Sequence, residues 1–299
     1  MKNNVEKSQK QAPVIGVIWK FVFNALQEHP SIAVPFCISG CVKLFGIVVI
    51  FFSIFYPLSI VFNPLIKTVW GEAFLHYPFN FELMPKLFYY VQIAVYIFLE
   101  GFLTSMAVWM VFQVDEGKKP NLRKSADKAL PKYIAVMALL ASIVLIVFLL
   151  NYVEMFAIKK FFIKFKFTEF LVKKNLLEFI LVCVNFLIVA LLKTALAFAI
   201  PFMVLENKRY FKAIGASFSL ASGNFGSVFI LILVPTLFPL LFSLLVAGLP
   251  ILTNKTFPEI TFIVLGGSII AGFLADCMVT LSLTFLFLLK RDEEARKYA

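Results

Sequence analysis

Six long apolar stretches dominate this chain and decide what it can fold into. They lie near residues 32–57, 86–113, 132–152, 176–204, 225–252 and 259–289. Each is longer than the roughly 18 apolar residues that mark a membrane-spanning helix. A helix satisfies its own backbone hydrogen bonds, which is what the interior of a bilayer demands. We therefore predict an all-α membrane protein with six transmembrane helices, in which residues 1–299 form a single integral domain.

The composition agrees with this prediction and excludes several other classes of protein. Hydrophobic residues make up 61% of the chain and charged residues 15%, whereas soluble domains contain about 45–50% apolar residues. A soluble globule, a disordered chain and a disulfide scaffold are thereby excluded. The sequence contains no zinc motif, phosphate loop, redox pair or nucleophile–base arrangement, so we expect no metal, no cofactor and no enzymatic activity.

The segment at 13–29 differs from the six stretches because it carries a polar stripe. Lys20 and Asn24 begin the stripe at helical spacing, and Trp19 belongs to the apolar residues that cover the other face. This pattern is typical of an amphipathic helix that lies in the membrane interface, with its aromatic ring at the level of the headgroups. Residues 1–12, which precede it, form a polar tail.

A weak repeat relates three parts of the chain. The second stretch leads into FQVDEGKKPNLRKSADKALPKY and the fourth into MVLENKRYFKAIGASFSLASGNF. Both pass from an acidic residue through a basic pair into a short amphipathic helix with small residues. The segment NALQEHPSIAV resembles the end of the same unit. The sequence therefore predicts a loose triple repeat of an interfacial helix followed by a helical hairpin, and not the inverted repeat that is common in transporters.

The net charge of +11 is distributed unevenly between the connections. If both termini are cytoplasmic, the cytoplasmic segments carry 17 of the 28 basic residues and the outer segments carry nine. This bias predicts that both termini are cytoplasmic, and we expect the chain to lie in a bacterial inner membrane. Its basic residues flank apolar stretches, so we expect anionic lipid headgroups as partners and no nucleic acid. The basic cluster at 159–174 lies outside in this topology, where we interpret it as a further interfacial helix.

Three segments resemble a broad family of six-helix prokaryotic membrane proteins of unknown function. They are PFMVLENKRYFKAIGASFSLASGNFGSVFILIL, GFLTSMAVWMVFQVDEGKKP and QEHPSIAVPF, and the resemblance covers nearly the whole chain. The family includes the membrane-spanning domain attached to some glycerophosphodiester phosphodiesterases. Asn207 stands where the family often has glycine. The resemblance implies the fold but not the phosphodiesterase activity, which belongs to a soluble domain whose His and paired acidic residues have no counterpart here.

Four ionisable residues fall inside the apolar stretches: Lys43, Glu100, Lys193 and Asp276. Each costs about 2.5–3.5 kcal/mol to insert into a bilayer. With a rise of about 1.5 Å per residue from the cytoplasmic ends, all four lie in one layer in the outer half of the membrane. They form either two ion pairs that fix the register of the helices or a polar cavity that binds an ion, a proton or a lipid headgroup.

The last two stretches also contain small residues and prolines at regular positions. Small residues at steps of four let two helices approach closely, either within the chain or between two copies in a homo-oligomer. Prolines inside a span produce a kink or a hinge. The small residues form the rows Gly267, Ala271, Ala275 and Ser268, Gly272, and the candidate hinges are Pro201, Pro235 and Pro239.

Two functions are compatible with these features. The first is a carrier or channel for a small or lipid-like solute, which uses the charged layer and the kinked helices. The second is a non-catalytic scaffold or assembly protein that binds lipids and a partner membrane protein through its interfacial helices. A cavity that reaches Glu100 and Lys193 favours the first function, whereas a solid core beside a flat apolar patch favours the second.

Overall fold

A computed structural model describes residues 14–165, 174–249 and 257–297. Six helical segments in this part of the chain are long and apolar enough to cross a membrane, which confirms the six-span prediction. We call them the first to the sixth span: Pro30–Phe52, Phe79–Asp115, Leu122–Val153, Ile180–Val204, Phe225–Ala247 and Ile260–Glu293. The chain is therefore a multi-pass, all-α membrane protein.

Twelve α-helices build the spans and the segments between them in the described part of the chain. They are α1 (Val14–Glu28), α2 (Val34–Phe52), α3 (Ser59–Val69), α4 (Phe79–Val95), α5 (Gly101–Asp115), α6 (Leu122–Ala129), α7 (Tyr133–Phe165), α8 (Lys174–Ala195), α9 (Ala199–Val204), α10 (Tyr210–Gly223), α11 (Phe225–Ala247) and α12 (Ile260–Lys297). Helices α1 and α10 precede the first and fifth spans, and α6 forms the first residues of the third. The element order therefore follows the predicted repeat of one short helix and one hairpin.

Several boundaries differ from the predicted ones. The first span ends at Phe52, and the unpredicted helix α3 follows it. The second span begins at Phe79, before the predicted start at residue 86, so Lys86 lies inside the helix and not at its end. Helix α7 continues without interruption to Phe165. The prediction of a separate interfacial helix at 159–174 is therefore wrong for residues 159–165. No glycine or proline interrupts 133–165, which leaves nothing to end the helix earlier. Residues 166–173 lie outside the described part.

The amino-terminal helix α1 packs into one end of the bundle. Ile18 and Val22 are fully buried in the largest apolar core, and Trp19 packs against it. Phe21 stacks on Phe285 of α12, with 6.2 Å between the ring centroids. The apolar face that the sequence assigned to the membrane interface is therefore largely covered by other helices, while Lys20 on the polar stripe is exposed. Helix α1 and the end of α12 lie together at this end, which we call the α1 end.

Three spans stay in contact as far as the opposite end of the bundle. There Phe51, Phe81 and Phe262 of the first, second and sixth spans form an aromatic cluster with centroid distances of 5.1–6.2 Å. The fourth span is less enclosed, since Leu187 and Leu191 are each about half exposed. The first, second and sixth spans therefore remain packed against one another at this end of the bundle.

The loops that leave the second and fourth spans are built alike. Gly117 and Asn207 have φ angles of +74° and +57°, and Asn207 is the one non-glycine residue with positive φ among those described. Asparagine adopts this left-handed conformation more readily than most residues. In each loop the glutamate just before this residue pairs with the lysine just after it, at 2.7 Å in the first loop and 2.9 Å in the second. The two loops thus repeat in geometry as well as in sequence.

Candidate functional site

The four ionisable residues of the spans form two neighbouring ion pairs. Lys43 of the first span contacts Glu100 of the second through Nζ and Oε1. Lys193 of the fourth span lies 3.8 Å from Asp276 of the sixth, measured from Nζ to Oδ1. Glu100 of the first pair lines the same cavity as both members of the second pair. The structure therefore gathers the four residues of the predicted layer into one polar cluster that connects four spans.

The two ion pairs differ in how tightly they are held. The side chains of Lys43 and Glu100 are each 13% exposed, and the Ser39 hydroxyl donates a hydrogen bond of 2.7 Å to the same carboxylate. In the second pair Lys193 is 32% and Asp276 40% exposed, and their separation is near the limit of an ion pair. The first pair is thus enclosed and has an additional hydrogen-bond donor, while the second retains room for another partner.

An irregular turn positions Glu100. The second span changes from α-helix to a π-helical turn at Tyr96–Glu100 and returns to α-helix at Gly101. Single π turns inside helices occur frequently at functional sites. A Cβ atom on Gly101 would lie 2.9 Å from Leu140 Cδ1 and 3.1 Å from Val136 Cγ1 of the third span. The carboxylate is therefore fixed between a widened turn and a close contact of two helices.

A cavity of about 140 Å³ lies beside the polar cluster, and all six spans contribute to its wall. A single water molecule needs roughly 10–15 Å³ of such space, so the cavity has room for several. Most of its wall is apolar, including Leu139, Leu140, Ile232 and Phe273. The polar side chains of the wall are Ser39, Tyr96, Glu100, Thr104, Lys193, Asp276, Thr280 and Thr284. Three of the four predicted residues therefore face one space.

Sequence reasoning missed the hydroxyl groups of this wall, although a signal for them exists. Thr104 follows Glu100 by four residues, and Thr280 and Thr284 follow Asp276 by four and eight. Residues at this spacing share one face of a helix. A search for polar residues in register with the intramembrane carboxylates would have found all three threonines.

The fourth span is broken one turn after Lys193. Helix α8 ends at Ala195 and α9 begins at Ala199, so that Pro201 lies beyond the break and not at it. Ser217 of α10 connects the two ends: its Oγ accepts a hydrogen bond from the Phe198 amide and donates one to the Ala195 carbonyl, each 3.0 Å long. Because Ser217 is fully buried, its hydroxyl takes the place of helical hydrogen bonds that the break removes.

We expect Ser217→Ala to lower the free energy of unfolding by about 1–3 kcal/mol, because it removes the partner of the buried Phe198 amide and of the half-buried Ala195 carbonyl. Ser222→Ala on the same helix is the matched control, since Ser222 is exposed and donates only to the Ser219 carbonyl. Unfolding of both variants in detergent, followed by circular dichroism, measures the difference. Equal stability of the two variants would show that Ser217 does not hold the break.

The prolines of the fifth span do not interrupt it. Helix α11 runs from Phe225 to Ala247 with Pro235 and Pro239 inside. The Thr236 hydroxyl donates to the Ile232 carbonyl at 2.7 Å, which adds a hydrogen bond where the prolines remove backbone donors. Of the three candidate hinges, only Pro201 lies near a break in its helix and lines the cavity.

The two rows of small residues in the sixth span have different surroundings. Ala271 and Ala275 are buried, and the space next to Gly267 is filled by the Phe242 ring of the fifth span. A Cβ atom on Gly272 of the second row would meet nothing within 4 Å. The first row therefore serves packing within the chain, where Gly267 leaves room for an aromatic ring of the fifth span.

Among the residues that the structure describes, no three His, Cys, Asp or Glu side chains are grouped as a metal site. The chain matches no family model, no curated protein and no solved structure. The resemblance to the membrane domain attached to some glycerophosphodiester phosphodiesterases therefore stays a prediction.

Proposed function

We propose that this chain is a membrane carrier that binds a small polar or lipid-like solute in the cavity between its spans. The observation that supports this function is that the wall of one cavity contains Glu100, Lys193 and Asp276. Ionisable groups inside a membrane are costly to insert and usually mark a path for a solute or an ion. Two ion pairs that served only to lock helices together would need no space beside them.

The distribution of charge supports an orientation for the carrier. The segments assigned to the α1 end carry 17 of the 28 basic residues, and basic residues favour the cytoplasmic face. We therefore assign the α1 end, and with it both termini, to the cytoplasmic side of the inner membrane. Anionic lipid headgroups are the expected partners of its exposed lysines. The alternative function of a non-catalytic scaffold for partner proteins does not require a charged cavity.

Transport by purified protein in liposomes tests this proposal. The solutes are a panel of small labelled cations, anions, zwitterions and neutral polar compounds, together with lipids labelled on an acyl chain. We expect at least one class to cross faster than in empty liposomes. Asp276→Asn should lower that rate about tenfold or more, since a hydrogen bond to a charged group contributes about 1.5–3 kcal/mol.

The matched control for this measurement is Glu72→Gln. Glu72 pairs with Lys67 at 2.8 Å, and both side chains are more than half exposed. The change removes one carboxylate, as Asp276→Asn does, but at a surface away from the cavity, so transport should be unchanged. If no solute and no lipid of the panel crosses faster with the protein than without it, the carrier function is wrong.

A further inference from the structure

The second ion pair has the geometry of a ligand site that is open to both charges of a ligand. We infer that the solute is a zwitterion whose anionic group binds Lys193 and whose ammonium group binds Asp276; this inference rests on the proposed carrier function. The pair is 3.8 Å apart, and its members are 32% and 40% exposed. Both side chains line the cavity, so a ligand in the cavity reaches both.

The first ion pair does not compete for this role. Lys43 and Glu100 are in direct contact, each is 13% exposed, and Lys43 is not part of the cavity wall. The carboxylate of Glu100 also accepts the hydrogen bond from Ser39. Glu100 is thus already satisfied by two partners, and the charges left to recognise a ligand are one lysine and one aspartate.

The balance of charge selects the class of ligand. Two lysines and two carboxylates make the cluster neutral. A cation or an anion would add an uncompensated charge inside the membrane, which costs several kcal/mol. A zwitterion adds no net charge, and each of its groups replaces the partner that it displaces. The cluster therefore discriminates against ligands that carry only one of the two charges.

The size of the cavity limits the ligand further. An engineered cavity of about 150 Å³ holds benzene, which has six heavy atoms. The cavity of about 140 Å³ therefore suits a ligand of similar size, such as a small amino acid or the ammonium-bearing part of a phosphatidylethanolamine headgroup. Its apolar wall, with Leu140, Ile232 and Phe273, suits the short carbon part of either molecule.

Alanine and two analogues that each keep only one of its charged groups test whether the protein binds a free zwitterion. Ethylamine keeps the ammonium group of alanine and lacks the carboxylate, whereas propionate keeps the carboxylate and lacks the ammonium group. Calorimetry on the purified full-length chain should give an affinity for alanine at least about tenfold higher than for either analogue, because one charged hydrogen bond contributes about 1.5–3 kcal/mol.

An assay in liposomes distinguishes whether the zwitterion that the protein carries is a free molecule or the headgroup of a lipid. Phosphatidylethanolamine and phosphatidylglycerol, each labelled on an acyl chain, are followed by dithionite quenching of the outer leaflet. If phosphatidylethanolamine flips faster with the protein and phosphatidylglycerol does not, the ligand is the lipid headgroup. Uptake of labelled alanine without lipid flipping identifies the free zwitterion. Both results support the inference.

Two single variants make the assignment of each residue falsifiable. Lys193→Gln should lose alanine binding and retain ethylamine, and Asp276→Asn should lose alanine binding and retain propionate. If either variant fails to fold, the comparison of the three ligands on the unmodified chain still decides. Binding or transport of ethylamine or propionate equal to that of alanine overturns the inference but leaves a carrier. Transport of a neutral solute alone has the same consequence, whereas no transport at all overturns the carrier function itself.

Discussion

Replacing Glu100 with glutamine should lower the free energy of unfolding by about 3–5 kcal/mol, because it leaves the charge of Lys43 buried without its partner. Both side chains are 13% exposed, and the Ser39 hydroxyl donates to the same carboxylate. Unfolding in mixed detergent micelles, followed by tryptophan fluorescence, measures the loss. No other single change among the ionisable residues of the described spans is expected to have a larger effect on stability.

A surface variant and a double variant test whether the loss of stability comes from the isolated charge of Lys43 or from the removal of any carboxylate. Glu72→Gln removes a carboxylate that is exposed to solvent, where a hydrogen bond from Lys67 and the charge of Lys67 lower the pKa of Glu72. Exposed pairs contribute little to stability, so this variant should unfold like the unmodified chain. Adding Lys43→Met to Glu100→Gln removes the isolated charge and should recover most of the loss. A double variant that is no more stable than Glu100→Gln would contradict this explanation.

The second large effect is expected at Gly267, where alanine should lower the free energy of unfolding by about 1–3 kcal/mol. A Cβ atom there would lie 2.9 Å from Phe242 Cζ and closer still to Cε1 of the same ring. The ring of the fifth span has to move away from the sixth, and its neighbour Phe238, at 5.7 Å between centroids, limits that movement. Thermal unfolding of the purified variant in detergent measures the change.

Gly272→Ala provides the matched control on the same helix. A Cβ atom at this position meets nothing within 4 Å, and alanine favours a helix over glycine by about 0.5–1 kcal/mol. The same substitution, moved by five residues, should therefore leave stability unchanged or raise it. If both variants are destabilised equally, the loss comes from the helix and not from its contact with Phe242.

The sequence predicts those parts of the structure that depend on distance along a single helix. The spans follow from the length of their apolar stretches, and the common depth of Lys43, Glu100, Lys193 and Asp276 follows from the fixed rise of a helix. Which of these four residues pair with each other depends on which helices are neighbours. That information is not contained in the periodicity of one chain, so the pattern is compatible both with two ion pairs and with a polar cavity.

Local irregularities were missed for a different reason. Neither the π turn at Tyr96–Glu100 nor the break at 196–198 contains a glycine or a proline, although Gly101 follows the turn and Pro201 follows the break. The break is held by Ser217, a residue about 20 positions further along the chain. Because tertiary contacts stabilise these departures from regular helix, local propensity does not reveal them. By contrast, the kinks expected at Pro235 and Pro239 do not divide their helix.

Glu100, Lys193 and Asp276 stand on the second, fourth and sixth spans, which are the returning helices of three similar hairpins. The three residues meet at one cavity in the way that three copies of one residue meet at the axis of a homotrimer. A true trimer must present three equal charges there, and these would repel one another. A single chain with three linked copies escapes this constraint, since each copy can change alone. Because the three positions carry two acids and one base, the wall of the cavity has an acidic part and a basic part, which is the asymmetry that the proposed zwitterion would require.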